Sequence, residues 1–306
     1  MHTQISVVIP VYKCKECLFE LNQRLTETLK KITDRYEVIY IDDCSPDESW
    51  IEIKLLSEKD KNVKGIRLSR NFGQHNAIFA GLENSNGDVI VVMDCDLQDK
   101  PEEILKLYNE LEKGYDLVLG SKFNRRDKIF KKMFSKTFYF ILSYLTDTNQ
   151  DCSVGNYGIY TRKVIDSVLQ MQDNIKYFPT MVKWVGFNKS VIQIEHSDRI
   201  YGNTSYRFGG LFKLALNIIL SFSDKPLRLV VKLGLTISLI SLIIAIYELY
   251  EYFTGKIIIQ GWASLIISLW FLSGIVIFVL GIVGLYIGRI FDKVKERPIY
   301  FIKEKI

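Results

Sequence analysis

Asp94-Cys95-Asp96-Leu97-Gln98 sets two carboxylates and a carboxamide at alternate positions. An oxygen-only donor set of this kind suits a hard divalent cation such as Mg²⁺ or Mn²⁺, alone or held on a diphosphate. A second acidic cluster, Asp42-Asp43-Cys44-Ser45-Pro46-Asp47, lies upstream. One acidic turn is ordinary in a polar loop, whereas two at the ends of strands in one sheet converge on one crevice. Asp99, just ahead of Pro101, is better placed to cap a helix. Other chemistries find little support. There is no Walker loop and no G-x-G-x-x-G, which argues against a P-loop NTPase and against a dinucleotide oxidoreductase. Cys14-Lys15-Glu16-Cys17 is a C-x-x-C without a second pair, expected to open a helix rather than to bind zinc or exchange electrons. His2, His75 and His196 share no ligand spacing, and no Ser/His/Asp constellation emerges.

The elements that must position these residues alternate. Ile5–Val11 is a β-branched run, followed by Leu18, Leu21, Leu25, Leu29 and Ile32 at helical spacing. Glu37–Ile41, Val63–Leu68, Val89–Met93 and Leu117–Leu119 read as further strands, with helices over Ile51–Leu56 and Ala77–Leu82 between them. Pro101 opens another helix, with Glu102 and Glu103 at the positive end of its dipole. This order predicts an α/β fold whose mostly parallel sheet carries helices on both faces. Ligands in such sheets sit beyond the carboxyl ends of the strands, where both acidic clusters fall.

With 48% hydrophobic and 25% charged residues, extensive disorder is excluded. The net charge of +5 is misleading, because 32 Lys and Arg face 30 Asp and Glu before Leu229. That near-neutral balance excludes a nucleic-acid binder held by bulk positive charge. Five irregularly spaced cysteines suit a reducing compartment. Trp262 to Gly288 holds no charge over 27 positions, and Leu229 to Tyr247 is broken only by Lys232. Both runs are long enough to cross a bilayer, with Tyr247, Tyr250, Tyr252 and Trp262 at interface positions. Lys225, Arg228 and Lys232 precede the first run, while Arg289, Lys293, Lys295 and Arg297 follow the second. The connecting loop carries Glu248 and Glu251 against Lys256, so a multi-pass protein with both termini cytosolic is expected. The short apolar stretch ending at Pro10, without a basic leader, is not read as a signal peptide.

Taken together, Val7-Val8-Ile9-Pro10-Val11-Tyr12, Asp42-Asp43-x-Ser45-x-Asp47, Arg70-Asn71-Phe72-Gly73 and Asp94-x-Asp96-Leu97-Gln98-Asp99-x-Pro101 resemble the inverting family 2 glycosyltransferases. The chain is most similar to their polyprenyl-phosphate branch, which includes dolichol-phosphate mannosyltransferases and bacterial undecaprenyl-phosphate glycosyltransferases. The resemblance continues through Gly120-Ser121-Lys122, Trp184-Val185-Gly186-Phe187, Arg199-x-x-Gly202-x-x-Ser205-Tyr206 and Ser221-Phe222-Ser223-x-x-Pro226-Leu227-Arg228. It implies a GT-A catalytic domain over residues 1–210, an interfacial amphipathic helix and linker over 211–228, two transmembrane helices over 229–288 and a cytosolic basic tail over 289–306. It further implies transfer of a sugar from a nucleotide sugar, UDP-linked in preference to GDP-linked, to polyprenyl phosphate. The product would be a lipid-linked sugar for cell-envelope glycan modification, made at the bacterial inner membrane. Carried residue by residue, Pro10, Tyr12, Asp42, Asp43, Arg70, Asn71 and Asp94 would bind the nucleotide sugar. Asp94 and Asp96 would be catalytic, holding the metal together with Gln98. Where many relatives have Gly-Asp-Phe, this chain has Gly155-Asn156-Tyr157.

An acceptor phosphate is already anionic near neutral pH, so it needs cations that bring two anions into line more than it needs a general base. Lys122–Lys136 holds Lys122, Arg125, Arg126, Lys128, Lys131, Lys132 and Lys136 against Asp127. The plain reading is a solvated face. The functional reading is an anion-binding, membrane-facing patch, with Phe130, Phe134 and Phe138 four apart on one helical face. Lys122, Arg125, Arg126 and Lys136 are the phosphate candidates, and Arg199, Ser205 and Tyr206 form a second set. A processive polysaccharide synthase is disfavoured, since Gln-x-x-Arg-Trp and additional spans are absent from the sequence. A non-catalytic membrane scaffold or transport partner that kept the fold is the rival from another class. A homo-oligomer is left open.

Overall fold

Ile5–Val11 (β1) is buried at every position and occupies the middle of an eight-stranded sheet. The computed structural model describes residues 4–122, 154–173, 176–195, 225–254 and 261–306. Around β1 the strands are Tyr36–Asp42 (β2), Val63–Leu68 (β3), Val89–Val92 (β4), Leu117–Lys122 (β5), Val154–Thr161 (β6), Lys189–Ile194 (β7) and Ile302–Lys305 (β8). Their spatial order is β7-β5-β6-β4-β1-β2-β3-β8. The expected parallel pairs are present: β1 lies parallel to both β2 and β4, and β2 to β3. The sheet is nevertheless mixed. β6 is inserted antiparallel between β4 and β5, and β8 runs antiparallel to β3.

Alternation along buried strands explains the layers. Ile5, Val7, Ile9 and Val11 share one hydrophobic cluster with Leu18, Leu21, Leu25 and Leu29 of Lys15–Leu29 (α1) and with Trp50 and Ile53 of Ser49–Lys59 (α2). Val8 and Ile41 point to the other face, against Gln74–Glu83 (α3). α3 lies so close that a Cβ on Gly81 would come within 2.6 Å of Ile41 Cδ1. Pro101 starts a 3₁₀ turn that runs into Ile104–Leu111 (α4), where a helix start was expected. Lys100 directly flanks this turn, with the buried Asp99 one residue before it. Arg162–Gln170 (α5) and Phe178–Trp184 (α6) follow β6.

The chain forms two units. The globular unit carries the sheet and includes Pro298–Ile306. The second is built on Lys225–Phe253 (α7) and Trp262–Val294 (α8), which are helical through both apolar runs. Among the described residues, one helical stretch, Ser268–Val294, is long and apolar enough to cross a membrane.

Candidate active site

The parallel register brings the two acidic clusters together. Val11 of β1 aligns with Asp42 of β2, and Val8 aligns with Val92 of β4. The Asp43 amide donates to the Val11 carbonyl (2.9 Å), and the Met93 amide to that of Val8 (3.2 Å). The turns leaving these three strands contain Lys13, Cys44 and Leu97 at φ values of 56°, 54° and 60°, a left-handed conformation that non-glycine residues rarely adopt. Such strain persists where surrounding contacts over-determine it and tends to gather at functional sites.

The aspartates divide by environment. Asp42 is 0% exposed. Its Oδ1 accepts the Ser45 amide (2.9 Å), and its Oδ2 pairs with Arg67 Nε at 3.2 Å. Asp43 is 2% exposed and accepts two backbone amides, Phe72 N–H on Oδ1 (2.7 Å) and Gly73 N–H on Oδ2 (2.8 Å). Burial pushes the Asp43 carboxyl above its ordinary range, although the two amides pull the other way. Both carboxylates therefore brace the frame: Asp42 ties its own turn to β3, and Asp43 holds the Arg70–Gly73 loop. Asp47 accepts from the Ser49 amide and hydroxyl and from the Lys15 amide, fastening the start of α2 to that of α1.

Asp94, Asp96 and Gln98 are half-buried and so reach solvent. Asp94 Oδ1 accepts Gln74 Nε2 at 2.7 Å, and Asp96 Oδ1 accepts the Gln98 amide at 3.2 Å. Two further contacts fasten this turn. The Cys14 thiol donates to the Cys95 carbonyl (2.9 Å), and the Tyr157 hydroxyl donates to the Lys100 carbonyl (2.8 Å). Cys14, Cys17 and Cys95 are free and buried. Hydrogen bonding with its two cysteine neighbours and burial push the Cys14 thiol up, so it stays protonated. Cys14 flanks the start of α1, as expected of this C-x-x-C. Gln74, Tyr157, Arg67 and the Phe72 and Gly73 amides were not anticipated from the sequence.

Of the other candidates, Pro10 is buried within β1, whereas Tyr12 is 42% exposed and Arg70 and Asn71 lie at the surface. Arg70 stacks its guanidinium 4.2 Å from the Phe72 ring centroid. Asn156 stands half-buried on β6. Lys122 ends β5. Its side chain, together with Arg125, Arg126, Lys136, Arg199, Ser205 and Tyr206, lies outside the described residues, as do the expected interfacial helix and the three phenylalanines of the basic segment.

Residues 6–180 match the glycosyl transferase family 2 domain. The chain belongs to glycosyltransferase family 2. This family 2 chain is 36% identical over 304 residues to the uncharacterized glycosyltransferase YkcC of Bacillus subtilis, covering 99% of this chain and 94% of that one. It is 34% identical over 313 residues to the undecaprenyl-phosphate 4-deoxy-4-formamido-L-arabinose transferase of Proteus mirabilis, with the same coverage of 99% and 94%. Among solved structures it is similar to glucosyl-3-phosphoglycerate synthase from Mycobacterium tuberculosis in complex with Mn²⁺, UDP and phosphoglyceric acid. That likeness has a TM-score of 0.49 and 16% identity, and covers 72% of this chain and 77% of the other. The mixed sheet with its flanking helices is the GT-A arrangement expected of a family 2 glycosyltransferase.

Proposed function

We propose that this glycosyltransferase moves a sugar from a nucleoside-diphosphate sugar, uridine favoured and guanosine the alternative, to a polyprenyl phosphate such as undecaprenyl phosphate. The phosphate oxygen attacks the anomeric carbon, the bond to the nucleoside diphosphate breaks with inversion, and a lipid-linked sugar results. Near full-length similarity to relatives named as undecaprenyl-phosphate transferases supports this acceptor. The observation that carries the reading is the pair of solvent-reaching carboxylates, Asp94 and Asp96, at the carboxyl end of β4 beside the braced Asp42–Asp43 turn.

Asp94, Asp96 and Gln98 offer only oxygen donors, which fits Mg²⁺ or Mn²⁺ with the diphosphate completing the shell. Among the described residues, no three His, Cys, Asp or Glu side chains form a metal cage, so such a shell depends on Gln98 and the substrate. Bound there, the ion would offset charge building on the departing diphosphate. Gln74 restrains Asp94, and Asp43 fixes the loop that presents Arg70 and Asn71 to the nucleotide. Lys122, Arg125, Arg126 and Lys136, with Arg199, Ser205 and Tyr206, are proposed to receive the acceptor phosphate. We place the enzyme in the bacterial inner membrane through α7 and α8, with its globular unit and both termini cytosolic.

The test is purified protein given a panel of UDP- and GDP-sugars, Mn²⁺ or Mg²⁺ and undecaprenyl phosphate, scoring nucleoside diphosphate release and glycolipid. A non-catalytic scaffold yields neither product. Asp96→Ala is expected to lower turnover by at least about a hundredfold while the protein stays folded and membrane-bound. Undiminished turnover in that variant removes the metal assignment.

A further inference from the structure

The C-terminal segment Pro298–Ile306 folds onto the far edge of the sheet, at β3. Ile66 pairs with Lys305 and Leu68 with Ile302, with a bulge between Arg67 and Leu68. Backbone bonds extend the pairing at both ends. Gly65 and Ile306 exchange amide-to-carbonyl bonds of 3.1 and 2.9 Å, and the Ser69 amide donates to the Phe301 carbonyl at 2.9 Å. Side chains add to this grip. Glu304 accepts Trp50 Nε1 (2.9 Å) and pairs with Lys54 (2.5 Å), while the Tyr300 hydroxyl donates to Glu83. An edge strand that would otherwise offer open backbone groups is thus covered by the chain's own end.

The segment also reaches the candidate nucleotide loop. The Phe301 ring lies 6.3 Å from the Phe72 ring, centroid to centroid, at an interplanar angle of 48°. Phe72 in turn carries the Arg70 guanidinium at 4.2 Å and gives its amide to Asp43. Phe301 is 55% exposed, so its ring is not core filling. Its contact is directed at a loop whose next residue, Gly73, has φ 93° and whose Ser69, Arg70 and Asn71 are exposed. A loop with so little core of its own holds one conformation only as firmly as the groups that pin it.

We infer that Phe301 is a positioning residue for nucleotide binding: its ring pins Phe72 and thereby holds Arg70 and Asn71 in the conformation that receives the donor. This rests on the reading that the Arg70–Gly73 loop faces the nucleotide. When a binding conformation is only fractionally populated, the apparent dissociation constant rises by the inverse of that fraction. Phe301→Ala removes the ring and leaves the backbone bond from Ser69 intact.

The experiment is calorimetric titration of the purified full chain in detergent micelles with Mn²⁺, using UDP and GDP as probes, alongside thermal melts. Phe301→Ala is expected to weaken binding of whichever nucleotide the wild type takes by about three- to tenfold, the range expected for loss of one aromatic pair. Phe301→Tyr, which keeps the ring, should bind like the wild type, whereas Phe301→Leu, of similar bulk, should behave like the alanine variant. Melting temperatures should stay close to wild type throughout. Arg70→Ala separates the layers of the proposal. If Arg70→Ala weakens binding and Phe301→Ala does not, the positioning role falls while the nucleotide reading of the loop stands. If the wild type binds neither probe, or Arg70→Ala binds as the wild type does, the nucleotide reading fails and takes this inference with it. If Phe301→Leu restores both affinity and melting temperature, the ring is ordinary packing and the inference is overturned.

Discussion

At the scale of single residues, burial decides what otherwise similar side chains do. Asp42 and Asp43, the expected nucleotide contacts, are buried and each accepts hydrogen bonds from this chain's own backbone. Asp94 and Asp96 keep a share of solvent and with it the capacity to meet an ion or a substrate. His75 is a third case. Its Nδ1 is buried without a hydrogen-bond partner, its ring meets Tyr177 edge-on at 4.7 Å, and burial pushes its pKa down to about 4 from the ordinary 6.5. The imidazole is therefore neutral at pH 7. As pH falls from 6.5 toward 4, the unfolded chain takes up a proton that the folded chain resists, so stability is lost through that window. His75→Phe keeps an aromatic ring against Tyr177 and cannot titrate. Its melting temperature should fall less than that of the wild type between pH 7 and pH 5. Parallel pH profiles for the two proteins would exclude His75 as a source of acid sensitivity.

At the scale of elements, α3, which supplies Gln74 to Asp94, packs closely on the sheet. Gly81 lets α3 settle onto Val8 and Ile41, both fully buried. Gly81→Ala gains helix propensity but forces a methyl into space already filled, and overpacking of this kind costs about 1–3 kcal/mol. The variant should unfold at lower denaturant concentration, and a rise in its midpoint would show that the sheet yields easily. The elements legible in the sequence were those whose core contact leaves a continuous or periodic apolar pattern. β1 to β5 announce themselves as short apolar runs, and α1 by its leucines at helical spacing, because each must be apolar wherever it meets the core. β6, β7 and β8 escaped for physical reasons. β6 contains Gly155 and Gly158, β7 alternates exposed and partly buried residues, and β8 reads Ile-Lys-Glu-Lys, a strand only because β3 offers it an edge. Asp94, Asp96 and Gln98 were readable as a local spacing pattern. Gln74, Tyr157 and Phe301 were not, since each acts on a residue that only the folded topology brings near.

At the scale of the whole molecule, the pairing of β8 with β3 constrains how the chain can meet a membrane. Residues before α7 and after α8 lie in one sheet, so a chain that leaves this unit and returns to it must cross a bilayer an even number of times. Ser268–Val294 is long and apolar enough for one crossing, and most of its apolar side chains are exposed, Ile277 at 69%. A single crossing would strand β8 on the wrong side of the membrane from β3. In the membrane placement we propose, the second crossing is assigned to α7, whose 29 residues extend roughly 44 Å at 1.5 Å per residue, more than the ~30 Å hydrocarbon core. Lys232 lies near the start of the Leu229–Tyr247 run, close enough to the interface for its ammonium to snorkel out. Flanking charge is consistent with that proposed topology, with seven Lys and Arg outside the two runs or at their start against Lys256 in the connection. Alkaline phosphatase, which is active only after export, should therefore report activity when fused at Lys256 and stay silent when fused after Ile306 through a flexible linker. Activity at Ile306 would mean an odd number of crossings, and β8 could not then be the partner of β3 in the membrane-inserted protein. Silence at both positions would mean that neither helix crosses, and the exposed apolar surface of α8 would have to be covered by something other than lipid.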